Sequence, residues 1–481
     1  MAIYLKKFEN HTQYEQYING SGAILPNVSI CTTEGEVHYN PESPHDYSQD
    51  YFTMVVTVGG DIKWSGSTTA NTLSYSKDNG TTWTTANSAT PISVTASDKI
   101  LWKGTPTPQT NKGIGKFSGA TDVRYSVEGN AMSLLFGDNF KGQTNLNGKN
   151  YALYDLFSGN KNVTSAENLS LPATTLASEC YGSMFFSCSN LTTAPSVLPA
   201  TTLANYCYHS MFFDCTSLTA APELPATTLA NNCYYSMFSS CTNLTAAPEL
   251  PATTLANNCY NWMFQSCTSL TAAPELPATT LANNCYGSMF SNCTSLTAAP
   301  ELLATTLASD CYGSMFGDCT SLTAAPELPA TTLANGCYYY MFGGCTSLTT
   351  APELPATTLA SGCYQSMFSR CSNLTTAPEL PATTLANSCY NGMFVGCTSL
   401  TTAPELPATT LASDCYDSMF NGCTSLSSIK CLATDISASN CTGYWVYNVA
   451  SSGTFTKAAS MTSWTEGING IPSGWTVVDA A

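Results

Sequence analysis

Positive charge is nearly missing from this chain. Over 481 residues, 15 lysines and arginines stand against 32 aspartates and glutamates, and between Asn162 and Ile429 the only basic side chain is Arg370. Such a surface has nothing with which to neutralise phosphates, which excludes nucleic acid as a partner and, by the same argument, anionic membranes. No apolar run approaches the roughly 20 residues of a membrane-spanning helix, so no membrane insertion is expected. The opening MAIYLKKFENHTQYEQYING lacks the apolar stretch of a secretory signal, and Cys31 has none before it to make a lipoprotein anchor. Synthesis and retention in the cytoplasm of the producing cell is therefore the expectation. Histidine is confined to His11, His38, His45 and His209, with no spacing that suggests a triad or a metal site. No phosphate-binding loop or dinucleotide fingerprint occurs, and no heptad seam declares an oligomer, although a homo-oligomer stays open. The chain reads as non-enzymatic and without a cofactor.

What the chain has in abundance is itself. The unit LPATTLAxxCYxxMFxxCTSLTxAPE recurs ten times, its first cysteine at 180, 207, 233, 259, 285, 311, 337, 363, 389 and 415, and its second eight residues later each time. A unit of 26 residues cannot close a core alone and must bury its apolar face against its neighbours. Advanced at 100° per residue, Leu203, Cys207, Tyr208, Met211 and Phe212 fall on one half of a wheel, and Asn205, Tyr206, His209, Ser210 and Phe213 on the other. That predicts a short amphipathic helix. After Cys215, TSLTAAPEL anchors on Leu218 and stops at Pro222, which predicts a brief strand and a turn. One helix and one strand per unit give an α/β solenoid.

Period 26, the string MFxxCTSL and the proline that follows resemble the leucine-rich repeats of the BspA-like bacterial surface-protein family. The resemblance covers about three fifths of the chain and implies an α/β leucine-rich-repeat solenoid of about ten coils with degenerate caps. It also implies a buried Cys or Asn ladder, matched here by Cys188, Cys215, Cys241, Cys267, Cys293, Cys319, Cys345, Cys371, Cys397 and Cys423. Upstream, YALYDLFSGN looks like a degenerate first repeat, with Phe157 and Asn160 in the Phe and Cys places. Downstream, Cys441, Trp445 and Val446 stand 26 residues after Cys415, Met419 and Phe420 and read as a divergent eleventh, capping unit.

Ahead of the repeats the text alternates in the manner of strands: FTMVVTV, IKWSG, TLSYSKDNGTTWTT, ISVTASDKILWKG and VRYSVEG. Several short strands at regular spacing predict a small all-β, sandwich-like domain. Within it Ser76, Asp78, Gly80 and Trp83 spell SxDxGxxW, which resembles the Asp-box hairpin of sialidase propellers, a structural device. The expected organisation is an attachment segment at 1–50, the β domain at 51–140, the solenoid with its degenerate first repeat at 141–430 and a capping repeat at 431–481. A short helix is expected around 12–18. The segment YLKKFENHTQYEQYINGSGAILPNVS resembles the amino-terminal parts of structural proteins of Bacteroidales (crAss-like) phages, which implies attachment to other virion proteins.

Three side-chain sets are candidates for function or framework. Twenty of the 23 cysteines are repeat positions on the buried half; free packed thiols are expected, with disulfides along a ladder left open by a unit spacing of roughly 5 Å. Glu223, Glu249, Glu275, Glu301, Glu327, Glu353, Glu379 and Glu405 recur once per unit, either as a solvated edge or as a cation-recruiting row. Tyr206, His209, Tyr235, Trp262, Tyr339 and Tyr340 interrupt an otherwise small and polar face. Aromatic faces beside amides and carboxylates suit sugar rings, whereas drift of unconstrained positions would give the same text.

The functional expectation is a phage fibre or capsid decoration protein, carried on the virion surface, that adheres through its repeats to a bacterial surface protein or glycan. An exported bacterial surface adhesin of the BspA-like type is the alternative. A glycan-active enzyme is a remote third, supported only by the Asp box.

Overall fold

Alternating apolar residues build the front of the molecule. Phe52, Met54 and Val56 are buried along β3 (Phe52–Val58), and Ile62 and Trp64 along β4 (Gly60–Gly66). The computed structural model describes residues 45–480 and, upstream, the backbone of two short antiparallel strands, β1 (Val28–Ile30) and β2 (Val37–Tyr39). Most of the expected attachment segment, with its short helix, lies outside the described residues. The next strands are β5 (Ser74–Ser76), β6 (Thr84–Thr85), β7 (Ile92–Val94), β8 (Lys99–Lys103), β9 (Gly115–Gly119) and β10 (Arg124–Asn130), followed after a short α1 (Ser133–Phe136) by β11 (Val163–Ser170). They form a six-stranded sheet, order β11-β10-β3-β8-β5-β6, and a three-stranded sheet, order β7-β4-β9. Phe117 joins the two, with ring centroids 5.9 Å from Phe52, 4.9 Å from Trp102 and 4.8 Å from Trp64.

This β region does not end at 140. Strand β11 lies beyond the expected boundary and pairs parallel with β10, and on its other side Ser165 bridges Thr193 of the first full repeat. The sheet therefore runs on into the repeats.

The repeats themselves do not fold as the sequence led us to expect. Among the described residues the only α-helix is the four-residue α1, and the strands are gathered in small sheets, so an α/β leucine-rich-repeat solenoid is not formed. Where a helix was expected, the chain makes a run of tight turns. Cys207, His209, Met211, Phe213 and Cys215 each donate their N–H to the carbonyl three residues back, while Tyr206, Tyr208, Ser210, Phe212 and Asp214 donate to carbonyls 25 residues ahead, in the next unit. Half of the donors close turns and half tie units together, which satisfies a buried backbone without helix or sheet. The geometry needs a left-handed residue every fourth position, seen at Tyr206, Ser210 and Asp214, and at Gly336, Tyr340 and Gly344. Asn, Asp, Ser and Gly dominate these places because they tolerate positive φ at least cost.

The expected brief strand reduces, in most units, to isolated parallel bridges, such as Ala298 with Ala324 and Thr350 with Thr376. Proline at both ends of each Pro-Glu-Leu-Pro segment removes the donors that would extend them.

Packing between units is a residue meeting its own copy. Phe185, Phe212, Phe238, Phe264 and Phe290 begin a file of nearly parallel rings 5.5–5.7 Å apart, and Tyr181 begins a second file through Tyr208 and Tyr234. The phenylalanine file reaches the β region through Phe157, 5.2 Å from Phe185 and 5.4 Å from Phe117. At the far end Trp445 lies 6.3 Å from both Tyr416 and Phe420 and stacks on Trp464 at 5.6 Å. At this end β12 (Ser428–Cys431), β13 (Thr454–Lys457) and β14 (Thr476–Asp479) form a parallel sheet. No helix among the described residues is long and apolar enough to cross a membrane.

Candidate functional site

The ten second cysteines are framework. Each buried thiol donates to the carbonyl of the phenylalanine in the unit before it: Cys188 to Phe157, Cys215 to Phe185 and Cys293 to Phe264, all at 3.0 Å. Asn160, one unit ahead of Cys188, does the same with its amide, donating to the Phe117 carbonyl at 3.0 Å and to the Tyr125 hydroxyl at 2.8 Å. Asn and Cys exchange at this place because both supply a buried donor to the preceding layer. All described cysteines are free and buried. Units repeat at the 5.8 Å step of the tyrosine file, whereas a disulfide needs Cβ atoms about 3.8 Å apart, so equivalent cysteines do not bridge. Burial pushes the Cys180, Cys371 and Cys423 thiols up to about 12, far from reactive thiolate.

The glutamate row is fully outside. Glu223 and its seven counterparts are exposed, and Glu223, Glu249, Glu301 and Glu327 line open hollows of about 450 to 540 Å³ between successive units. Glu405 pairs with Lys430 at 2.9 Å. Among the described residues no three His, Cys, Asp or Glu side chains converge as metal ligands would. The Ser76–Trp83 hairpin is likewise internal: the Asp78 carboxylate accepts from the Ser76 hydroxyl and from the Thr82 N–H and hydroxyl, and the Trp83 indole donates to the Gly80 carbonyl.

The aromatic candidates are set by the same turn run and fall into two clusters. Tyr206 and Trp262 are 39% and 40% exposed although each is large and apolar, and Tyr235, half-buried, lies 5.3 Å from Trp262. Burial first, and the neighbouring Tyr206 second, push the Tyr235 phenol up. His209 packs edge-on to Tyr206 at 5.7 Å and also lies 5.9 Å from Tyr154. Its ring leans over Gly182, where a Cβ would collide with it. Glu179 is engaged here, accepting from the Tyr151 hydroxyl at 3.2 Å and lying 3.7 Å from His209 Nδ1. Burial raises the half-buried Asp155 carboxyl nearby, against the pull of Lys116. Tyr339, 44% exposed, lies 6.3 Å from Tyr340 in the second cluster. The geometry unites Tyr206, His209, Tyr235 and Trp262 and sets Tyr339 and Tyr340 apart.

Sequence reasoning missed the residues that frame these rings. Tyr151 and Tyr154 belong to the degenerate first unit, whose face was not aligned with the others. An asparagine ladder was also missed: Asn205, Asn231 and Asn257 each accept with Oδ1 from the backbone N–H one unit on, at 3.1 Å. Recurrence of Asn two residues before the first cysteine was its signal.

No family model matches the chain. Nor does any curated protein.

Proposed function

We propose that this chain is a non-enzymatic adhesion protein of a phage virion surface, a fibre or capsid decoration, that presents its stacked repeats to bacterial surface proteins or glycans. The observation that supports it is the exposure of Tyr206, Trp262 and Tyr339 on units whose backbones are locked to one another. Large apolar rings left in water on a preorganised support cost little further entropy when a partner covers them. The amino-terminal likeness to phage structural proteins assigns the attachment end. Other virion proteins are its partners there, with the repeats turned outward.

The likeness of the 26-residue unit to BspA-like surface proteins favours a second reading, an exported bacterial adhesin. Mass spectrometry of density-purified particles and of washed producer-cell envelopes separates the two. Stoichiometric recovery in particles is expected; recovery only in envelopes would transfer the protein to the bacterial surface.

A further inference from the structure

The two ring clusters share a construction that is rare among the repeats, though Tyr444 of the capping unit, at φ 49°, has it too. At the third residue after the first cysteine, seven of the ten units carry serine; Trp262 and Tyr340 stand in its place at φ 57° and 49°. Immediately before the first cysteine the other units carry Glu, Asn, Asp, Gly or Ser, but Tyr206 occupies it at φ 56°. A bulky side chain in left-handed backbone opposes folding, and such strain gathers where a surface is used. Drift alone would refill these places with residues that suit the turn.

Tyr340 is also given a bed. At the sixth residue after the first cysteine only two of the ten units carry glycine, Gly317 and Gly343, and both lie against the Tyr340 ring. A Cβ on Gly343 would collide with ring carbons Cδ2, Cε2 and Cζ, and one on Gly317 would press Cδ1 and Cε1 at 3.1 and 3.2 Å. The ring is thus fixed by its backbone and by the shelf beneath it.

The chemistry around the rings offers no unopposed positive charge. Glu179 accepts from the Tyr151 hydroxyl, His209 Nδ1 is held by the Tyr206 carbonyl at 2.9 Å, and Tyr340 feels Asp318 and Arg370 with opposite sign. An acidic ligand would find no free cation there, because Arg370 is the only lysine or arginine between Asn162 and Ile429. Because each carboxamide oxygen of Asn205, Asn231 and Asn257 is tied to the next unit, the exposed NH2 groups remain as donors at one-unit intervals. Flat rings with a row of amide donors match the apolar face and hydroxyl rim of uncharged sugars. Trp262 and Tyr340 hold the same place three units apart, about 17 Å at 5.8 Å per step, more than a single sugar spans.

We propose that the clusters are two subsites for one extended, uncharged polysaccharide, stacked on Tyr206, Tyr235 and Trp262 at one end and on Tyr339 and Tyr340 at the other. This rests on the adhesion reading and names its ligand class. Affinity electrophoresis of the full chain through gels holding galactomannan, xyloglucan or glycogen, with alginate as the anionic counterpart, tests it. Retardation in at least one neutral gel is expected, weakened about tenfold or more in W262S and in Y340S. Both variants restore the residue that most units carry and relieve the backbone, so their melting temperatures should hold or rise. Absence of retardation in every neutral gel, stronger retardation in alginate, or full retention in the W262S/Y340S double variant would overturn the proposal. Any of these, with the chain still recovered in particles, would leave the virion reading standing.

Discussion

The β region and the repeats solve the same burial problem in opposite ways. In the β region each core ring has unique partners: Phe117 meets Phe52, Trp64 and Trp102, brought together from strands far apart in sequence. In the repeats the rings stacked on Phe290 are Phe264 and Phe316, its own copies. Unique partners specify one arrangement. Self-copies specify a step and leave the number of steps to the ends, which is why Phe157 and Trp445, both atypical, close the phenylalanine file.

Removing rings should break that comparison most sharply. Phe290→Ala is expected to cost about 3–5 kcal/mol, as large-to-small changes in aromatic cores do. Because its partners are local, hydrogen exchange should accelerate in the neighbouring units while β3, β8 and β10 stay protected. Phe117→Ala should cost about as much and release both regions, since its ring also touches Phe157. Equal loss of protection in the β region of Phe290→Ala would show that the two regions unfold as one.

A smaller effect is expected at the buried donors. Cys293→Ala removes one of the two donors to the Phe264 carbonyl, which keeps the Cys267 N–H at 3.0 Å, and should cost about 0.5–1.5 kcal/mol by urea midpoint. Asn160→Ala should cost at least as much, because the Phe117 carbonyl and the Tyr125 hydroxyl both lose a partner. Indifference to either change would remove the donor account of the Cys–Asn exchange.

Thiol chemistry should distinguish the native repeats only by silence. With their cysteines buried and far from ionised, native chains are expected to take up no iodoacetamide at the repeat positions, and unfolded chains to label fully, by intact mass. Labelling of Cys293 in the folded state would contradict the packing.

The smallest expected effect belongs to the β region. Hydrogen bonds from Thr82 and then Ser76 hold the Asp78 carboxyl at about 2, below its ordinary 3.8. A lowered folded value contributes stability that is present above the unfolded value and is lost as pH falls through the folded one. The hairpin of β5 and β6 should therefore loosen between about pH 4 and pH 2, followed by the Trp83 indole resonance, and Asp78→Asn should abolish that step.

Much of this was legible in the sequence, and the failures have physical causes. Period 26 and the buried set Cys, Tyr, Met, Phe and Cys were readable because the same face is buried in every unit. Helix and turn run were not separable on that set. Cys207, Tyr208, Met211, Phe212 and Cys215 repeat every four residues, 90° per residue, and over nine residues this stays within one half of a wheel drawn at 100°. The discriminating signal lay on the other face, where Asn, Asp, Ser and Gly recur every fourth place to supply positive φ. In the β region, alternation marked FTMVVTV and VRYSVEG, which are β3 and β10, whereas GKFSG, the glycine-flanked β9, carried too little side-chain pattern to register. That β11 serves both regions depends on pairing across sequence, which local text does not encode.

Because every unit hands its neighbour the same hydrogen bonds and the same rings, the array is a ruler marked in whole units. Near-identical stretches invite unequal recombination. Losing or gaining a unit between Ser288 and Ser314 would leave both ends intact and move Trp262 and Tyr340 by one 5.8 Å mark. The reach between the two ring clusters can thus be reset in a single genetic step, without redesign of any contact.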